Sequence, residues 1–297
     1  MKTKLQRLSS FYLIAFCSFF GVSCSLDTDF KSKEFIGDYQ IESQAVLEDF
    51  ANHHFVGVKG NLYIFNCEDL MPLADLTYVD GKLEIRNNKV ELENLKGLEN
   101  VTRIGGDLNI YQNKGIKSLT GLDQLIDLGG NIAIYENSRL ERFNNLDKIN
   151  RVTGFVNIYS NPNLVEINGL NQVSEIISHV DVNNNRNLVQ LNGFKSIARI
   201  GNTLTIKDNQ ALTELNGFNY LISVVSKLII EQNRNLQSIS SLKDLTSVGS
   251  LSIKENNLLE DFCTLRLVNF GDSYVVSGNA YNPTKEQILY QETCRKN

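Results

Sequence analysis

The chain has 297 residues, a formal charge of −5, no tryptophan and only three prolines. That length is long for one globular core and ordinary for a stacked repeat. No basic patch interrupts the acidic balance, which argues against nucleic acid as a partner.

Residues 1–23 read as a signal peptide. Lys2, Lys4 and Arg7 make a basic start, and the run from Phe11 to Val22 carries no charge. That run is too short and too early for a membrane span. Gly21-Val22-Ser23-Cys24 resembles the cleavage box of bacterial lipoproteins, departing from it at Gly21, where leucine is usual. The resemblance implies that Cys24 becomes a lipidated N-terminus holding the protein on a membrane of the cell envelope, the outer membrane being the expected one. Cleavage to a simple secreted protein is the alternative. The acidic CSLDTDF run resembles the export signal of surface-exposed lipoproteins in some Gram-negative bacteria. Without residues 1–23 the formal charge is −8, so acyl chains rather than anionic headgroups are the expected attachment.

Residues 24–42 are polar and read as a tether. The segment 43–56 reads as an N-terminal helical cap, with Ser43 as N-cap and Val46, Leu47 and Phe50 on one face. Such a helix is placed to cover an open first rung.

From 57 to 282 the chain repeats itself. The unit is apolar-x-apolar-x-x-Asn with another apolar residue three positions on. It recurs at 24-residue spacing as Leu108/Ile110/Asn113, Ile132/Ile134/Asn137, Val156/Ile158/Asn161, Val180/Val182/Asn185, Leu204/Ile206/Asn209 and Leu228/Ile230/Asn233. Leu251/Ile253/Asn256 and Tyr274/Val276/Asn279 continue it, while Leu83/Ile85/Asn88 and Leu62/Ile64/Cys67 precede it. A fixed period of this length predicts an all-β, right-handed parallel solenoid of about ten rungs, each burying its apolar edge against its neighbours. Rungs about 4.8 Å apart give a rod roughly 45 Å long. The alternating pair points inward from a short strand. The asparagine column, Asn88 to Asn279, offers donors and an acceptor to the turn backbone of adjacent rungs. Cys67 holds the same position in an early rung and reads as a small buried thiol. Between strands apolar residues fall every third position, as at Ile116, Leu119, Leu122, Leu125 and Leu128. Interruptions such as Gly121 and Asn145 make short extended pieces and corners the expected conformation there rather than helix.

Residues 283–297 read as a C-terminal helical cap, with Thr284 and Gln287 at capping-box spacing. Of five cysteines, Cys263 and Cys294 both fall in the last unit and the cap. An exported compartment permits them to pair, two free thiols being the alternative.

The repeat G-L-x-x-L-x-x-L-G-G-x-L-x-I-x-x-N-x-x-L resembles the receptor L-domain, a leucine-rich-repeat-like β-solenoid. The ordinary leucine-rich repeat, which places leucine two residues after the asparagine and builds a helical convex side, is the runner-up. In several receptor L-domains the flat sheet carries ligand. The resemblance therefore implies a binding module in which a protein or carbohydrate meets the sheet face.

That face is readable by column. One outward column runs Phe65, Arg86, Tyr111, Tyr135, Tyr159, Asn183, Lys207, Glu231, Lys254 and Ser277; its neighbour contains Asn109, Ala133, Asn157 and Asp181. The three successive tyrosines, with Phe65, Asn109, Asn157 and Asp181, are the candidate ligand contacts, because flat rings beside amides suit a sugar ring or a protein loop. Aromatic ladders also stabilise sheets on their own, and that reading stays open. Lys207, Glu231 and Lys254 read as a cross-rung ion ladder. No cofactor or metal is expected: His53 and His54 are adjacent rather than at ligand spacing, and His179 stands alone. No nucleophile or phosphate-loop motif occurs, so a non-catalytic role is expected. The expectation is a cell-surface binding lipoprotein; a passive envelope spacer and, behind it, a polysaccharide-acting enzyme are the alternatives.

Overall fold

The computed structural model describes residues 33–290 and 293–296. The expected signal peptide, Cys24 and the first part of the tether lie outside them.

The repeat folds as a parallel β-solenoid. Ten successive parallel pairings join eleven strands into one long sheet, from Tyr39–Ile41 through Leu62–Ile64, Leu83–Arg86, Leu108–Tyr111, Ile132–Tyr135, Val156–Tyr159, Val180–Asn183 and Thr203–Lys207 to Ser223–Glu231, Ser247–Lys254 and Asn269–Ser277. The register follows the repeat, with Leu108, Ile132, Val156 and Val180 in line and Ile110, Ile134, Ile158 and Val182 in line beside them. All eight side chains are fully buried. Removing one such aliphatic side chain from water is worth about 1.5–3 kcal/mol, so each rung depends on the apolar cover of its neighbours.

A second sheet occupies another side of the coil. It contains Lys33–Ile36, Phe55–Lys59, Tyr78–Val79, Arg103–Ile104 and Asp127–Leu128. The third side carries the short parallel strands Arg142–Phe143, Glu166–Ile167 and Gln190–Leu191. The apolar spacing of three resolves into turns closed by backbone bonds three residues back, such as Leu122 N–H to the Leu119 carbonyl and Leu125 N–H to that of Leu122. Each turn returns one aliphatic side chain to the core. Gly121 sits in this series at φ +118°, where a Cβ would stand 2.0 Å from the Leu95 carbonyl oxygen.

The tether needs correction. Residues 33–41 are not a tether but the first turn of the coil: Lys33–Ile36 pairs with Phe55–Lys59, and Tyr39–Ile41 with Leu62–Ile64. Tyr39, Ile41 and Gln44 hold the repeat positions, and the Gln44 carboxamide oxygen accepts from the Glu68 and Asp69 N–H groups of the next rung. The expected cap helix is α1, Gln44–Asn52, with Ser43 Oγ accepting from Val46 N–H. It forms the return segment of that first turn, and it ends sooner than residue 56 because Phe55 already belongs to the next strand. Leu47 and Phe50 are buried, and Phe50 joins Phe35, Tyr39 and Phe55 in an aromatic cluster at this end.

At the other end α2, Lys285–Leu289, has the expected capping box between Thr284 and Gln287. The rest of the described cap is not helical; Arg295 instead forms an antiparallel bridge with Asp261. Cys263 and Cys294 form a disulfide.

Candidate ligand-binding face

Alternation along each strand sets the inner and outer surfaces of the long sheet, and one local device ends the strands. The residue that follows each strand, directly or (at Asn66) after one intervening residue, is left-handed in ten rungs in succession: Asn66, Asn87, Gln112, Glu136, Ser160, Asn184, Asp208, Gln232, Glu255 and Gly278. This kink ends the strand and swings the following residue into the interior. Only some positions carry asparagine or glycine, the types that tolerate this region, so sequence patterning did not expose the column.

The residue swung inward is the ladder asparagine. Asn113 shows the full pattern. Its Oδ1 accepts from both the backbone N–H and the Nδ2 of Asn88, at 3.1 and 2.9 Å. Its Nδ2 donates back to the Ile85 carbonyl at 2.9 Å and forward to Asn137 Oδ1 at 3.0 Å. Both donors and both lone pairs are used, in the dry interior where an unmade bond is most costly. The backward bonds to N–H and carbonyl recur at Asn137, Asn161, Asn185, Asn209, Asn233, Asn256 and Asn279. Asn282 terminates the series by accepting from the Asn279 N–H and Nδ2. Cys67 opens it, its N–H donating to Asn88 Oδ1; burial pushes its thiol up to about 11, as expected of an inert core cysteine.

Two residues before each ladder asparagine lies the outward column. Tyr111, Tyr135 and Tyr159 stack with ring centroids 4.7 and 4.8 Å apart and planes within 6 and 8° of parallel. The spacing is that of the rungs themselves. Both faces of Tyr135 and the facing sides of Tyr111 and Tyr159 are therefore spent on one another, which leaves the ring edges, the hydroxyls and the two end faces as the outward parts of the row. The rings are half-buried. Burial pushes the Tyr111 hydroxyl up to about 12, aided by its 3.0 Å hydrogen bond to Glu84.

Glu84 anchors the N-terminal end of this row. It is only 7% exposed and accepts from Lys82 Nζ at 2.8 Å and Arg86 Nε at 2.9 Å, besides Tyr111. Burial drives its carboxyl pKa upward, but the bonds from Lys82 and Tyr111 and the Lys82 charge outweigh this, and the net shift is downward. The same two cations lie over aromatic rings, Lys82 over Tyr63 and Arg86 over Phe65. Phe65 is thus covered by Arg86 and does not extend the tyrosine row as an open surface.

Beyond the tyrosines the chemistry changes. Asn157 and Asp181 are register partners, each with one buried oxygen that lacks a hydrogen-bond partner. Asp181 uses its other oxygen to accept from Asn183 Nδ2 at 2.7 Å. Asn109 faces the same side, with the small Ala133 between it and Asn157. His179, in the column before this one, stacks on Phe155 with centroids 4.9 Å apart. Of the expected ion ladder, Glu231 and Lys254 approach to 3.8 Å and Glu231 also accepts from Ser252, whereas Lys207 has no ion-pair partner among the described residues. Surface depressions of about 300, 340 and 310 Å³ lie off this face, around Arg266, Glu166 and Asp127. Among the described residues no group of three or more His, Cys, Asp or Glu could hold a metal ion.

No protein-family model matches the chain, and no curated protein matches it.

Proposed function

We propose that the protein is a lipid-anchored recognition module of the cell envelope that holds a protein or glycan against the outward face of its long sheet. One observation carries this reading: the tyrosine row, whose three hydroxyl edges stand one rung apart beside Asn109, Ala133 and Asn157 on a flat parallel sheet. Tyrosine edges combine apolar area with a hydroxyl and lose little entropy on binding. A row of them beside amides suits an extended ligand read by hydrogen bonds along the rungs. Binding here is surface complementarity, without chemistry. The Gly21–Cys24 box supports attachment through Cys24, and the acidic run after it supports display on the outer surface.

The test has two arms. A glycan array and a panel of envelope-external proteins are screened with the full chain and with Tyr111, Tyr135 and Tyr159 all replaced by alanine. Selective binding that disappears in the folded triple variant is the expected result; binding that survives it ends the proposal for this face. Proteolysis of intact cells then asks whether the chain is reached from outside.

The face-to-face stacking favours a second reading, a passive spacer whose tyrosines only brace the sheet. A spacer binds nothing selectively in the same screen.

A further inference from the structure

The C-terminal cap holds a feature unconnected with the sheet face. A depression of about 300 Å³ is lined by Lys243, Cys263, Thr264, Arg266, Leu267 and Arg295. Its three ionisable lining residues are all cations, in a chain whose formal charge is −5. None of the three forms an ion pair among the described residues, although Lys296 next to them is paired with Glu260 at 2.9 Å. The neighbouring acid Asp261 has one carboxylate oxygen occupied by the Cys263 N–H at 2.8 Å. The Thr264 hydroxyl, in the wall, has no hydrogen-bond partner.

The three cations come from three separate places. Lys243 belongs to the turn Ser240–Asp244, Arg266 follows the turn Cys263–Leu265, and Arg295 arrives from the chain's last residues. The disulfide between Cys263 and Cys294 fixes Arg295 in position, helped by the Phe262 N–H bond to the Cys294 carbonyl at 3.0 Å and the Lys296 N–H bond to the Glu260 carbonyl at 3.1 Å. Holding three like charges around one hollow costs repulsion that an anion between them removes. Arginine forks match the oxygens of a tetrahedral oxyanion in pairs, and lysine adds a point charge.

We propose that this hollow is an oxyanion site, taking a phosphate or sulfate group, and that the disulfide completes it by delivering Arg295.

The test titrates the full, oxidised chain with inorganic phosphate and with sulfate by calorimetry, against Lys243→Gln, Arg266→Gln, Arg295→Gln and, as a remote control, Arg151→Gln. All four side chains are exposed, so the fold is retained, and a melting curve checks it. Saturable binding is expected, weakened about fivefold by each of the first three changes and unaffected by the fourth. Reduction of the disulfide reproduces the Arg295→Gln value. Absence of saturable binding, or binding indifferent to all three substitutions, overturns the proposal. Vesicles of phosphatidylcholine with and without phosphatidic acid then separate sources. Capture that requires phosphatidic acid and falls with Arg266→Gln assigns a lipid headgroup, whereas phosphate binding without such capture assigns a free or sugar-borne oxyanion.

Discussion

Two columns of the long sheet lie only two residues apart in each rung and obey opposite rules. The inner one is asparagine from Asn88 to Asn279 without a break, every member fully buried or nearly so. The outer one passes from Phe65 and Arg86 through three tyrosines to Asn183, Lys207, Glu231, Lys254 and Ser277. The inner residue must accept from one rung and donate to two, in a space where no water can substitute, and no other side chain of that size has two donors and an acceptor with two lone pairs. The outer residue need only tolerate its neighbours and the solvent. Invariance inside therefore reports the fold, and variation outside is where function can be written.

The largest effect expected from breaking this contrast comes from inside. Asn161→Ala strips the acceptor from the Asn137 N–H and Nδ2 and the donor from the Ile134 carbonyl. Leaving these groups buried and unmet costs about 3 kcal/mol, read as a drop of several degrees in melting temperature with the outer face unaltered. An unchanged melting temperature counts against the ladder.

A smaller effect is expected at Glu84, an outward residue that the aromatic and basic side chains around it have half-converted to an inner one. Glu84→Gln keeps the shape and removes the charge that Lys82 and Arg86 share, at about 1–2 kcal/mol. The folded carboxyl lies below its ordinary 4.5. Its contribution is therefore complete above that value and is lost as pH falls through the lower folded pKa. Urea midpoints between pH 6 and 3 should fall more steeply for the parent chain than for the glutamine variant; parallel curves would show that Glu84 is not coupled to folding.

The smallest effect tests the kink between the columns. Glu136 is left-handed at φ 55°. Glu136→Gly relieves that conformation and should raise stability by up to about 1 kcal/mol, less the backbone entropy that glycine adds to the unfolded chain. A clear loss of stability on thermal melting would mean that the Glu136 side chain contributes more than its backbone costs.

The same contrast explains which features are legible in the amino-acid sequence. Strands and ladder stand out because Leu, Ile and Asn return at fixed spacing. The capping box at Thr284 and the pairing of Cys263 with Cys294 are readable for similar reasons of local spacing and cysteine arithmetic. The first rung escapes because Tyr39, Ile41 and Gln44 meet the same physical demands with different residues. The left-handed column escapes because Gln112, Glu136 and Ser160 share a conformation without sharing a side-chain type. On the face, the columns can be read off but the ring orientation cannot, since parallel stacking follows from the 4.8 Å rung spacing acting on rotamers. The basic hollow at Lys243, Arg266 and Arg295 is invisible to spacing because its members are brought together only by the coil and the disulfide.

The chain contains its own control for the central claim, in asparagines turned into the interior just past the strand ends and asparagines on the outward face of the strands. Hydrogen exchange of side-chain carboxamides, followed by NMR, compares Asn113, Asn137, Asn161 and Asn185 with the outward Asn109 and Asn157. The inner four should exchange orders of magnitude more slowly, near the limit set by opening of the coil. Equal rates for the two groups would contradict a buried, fully bonded ladder.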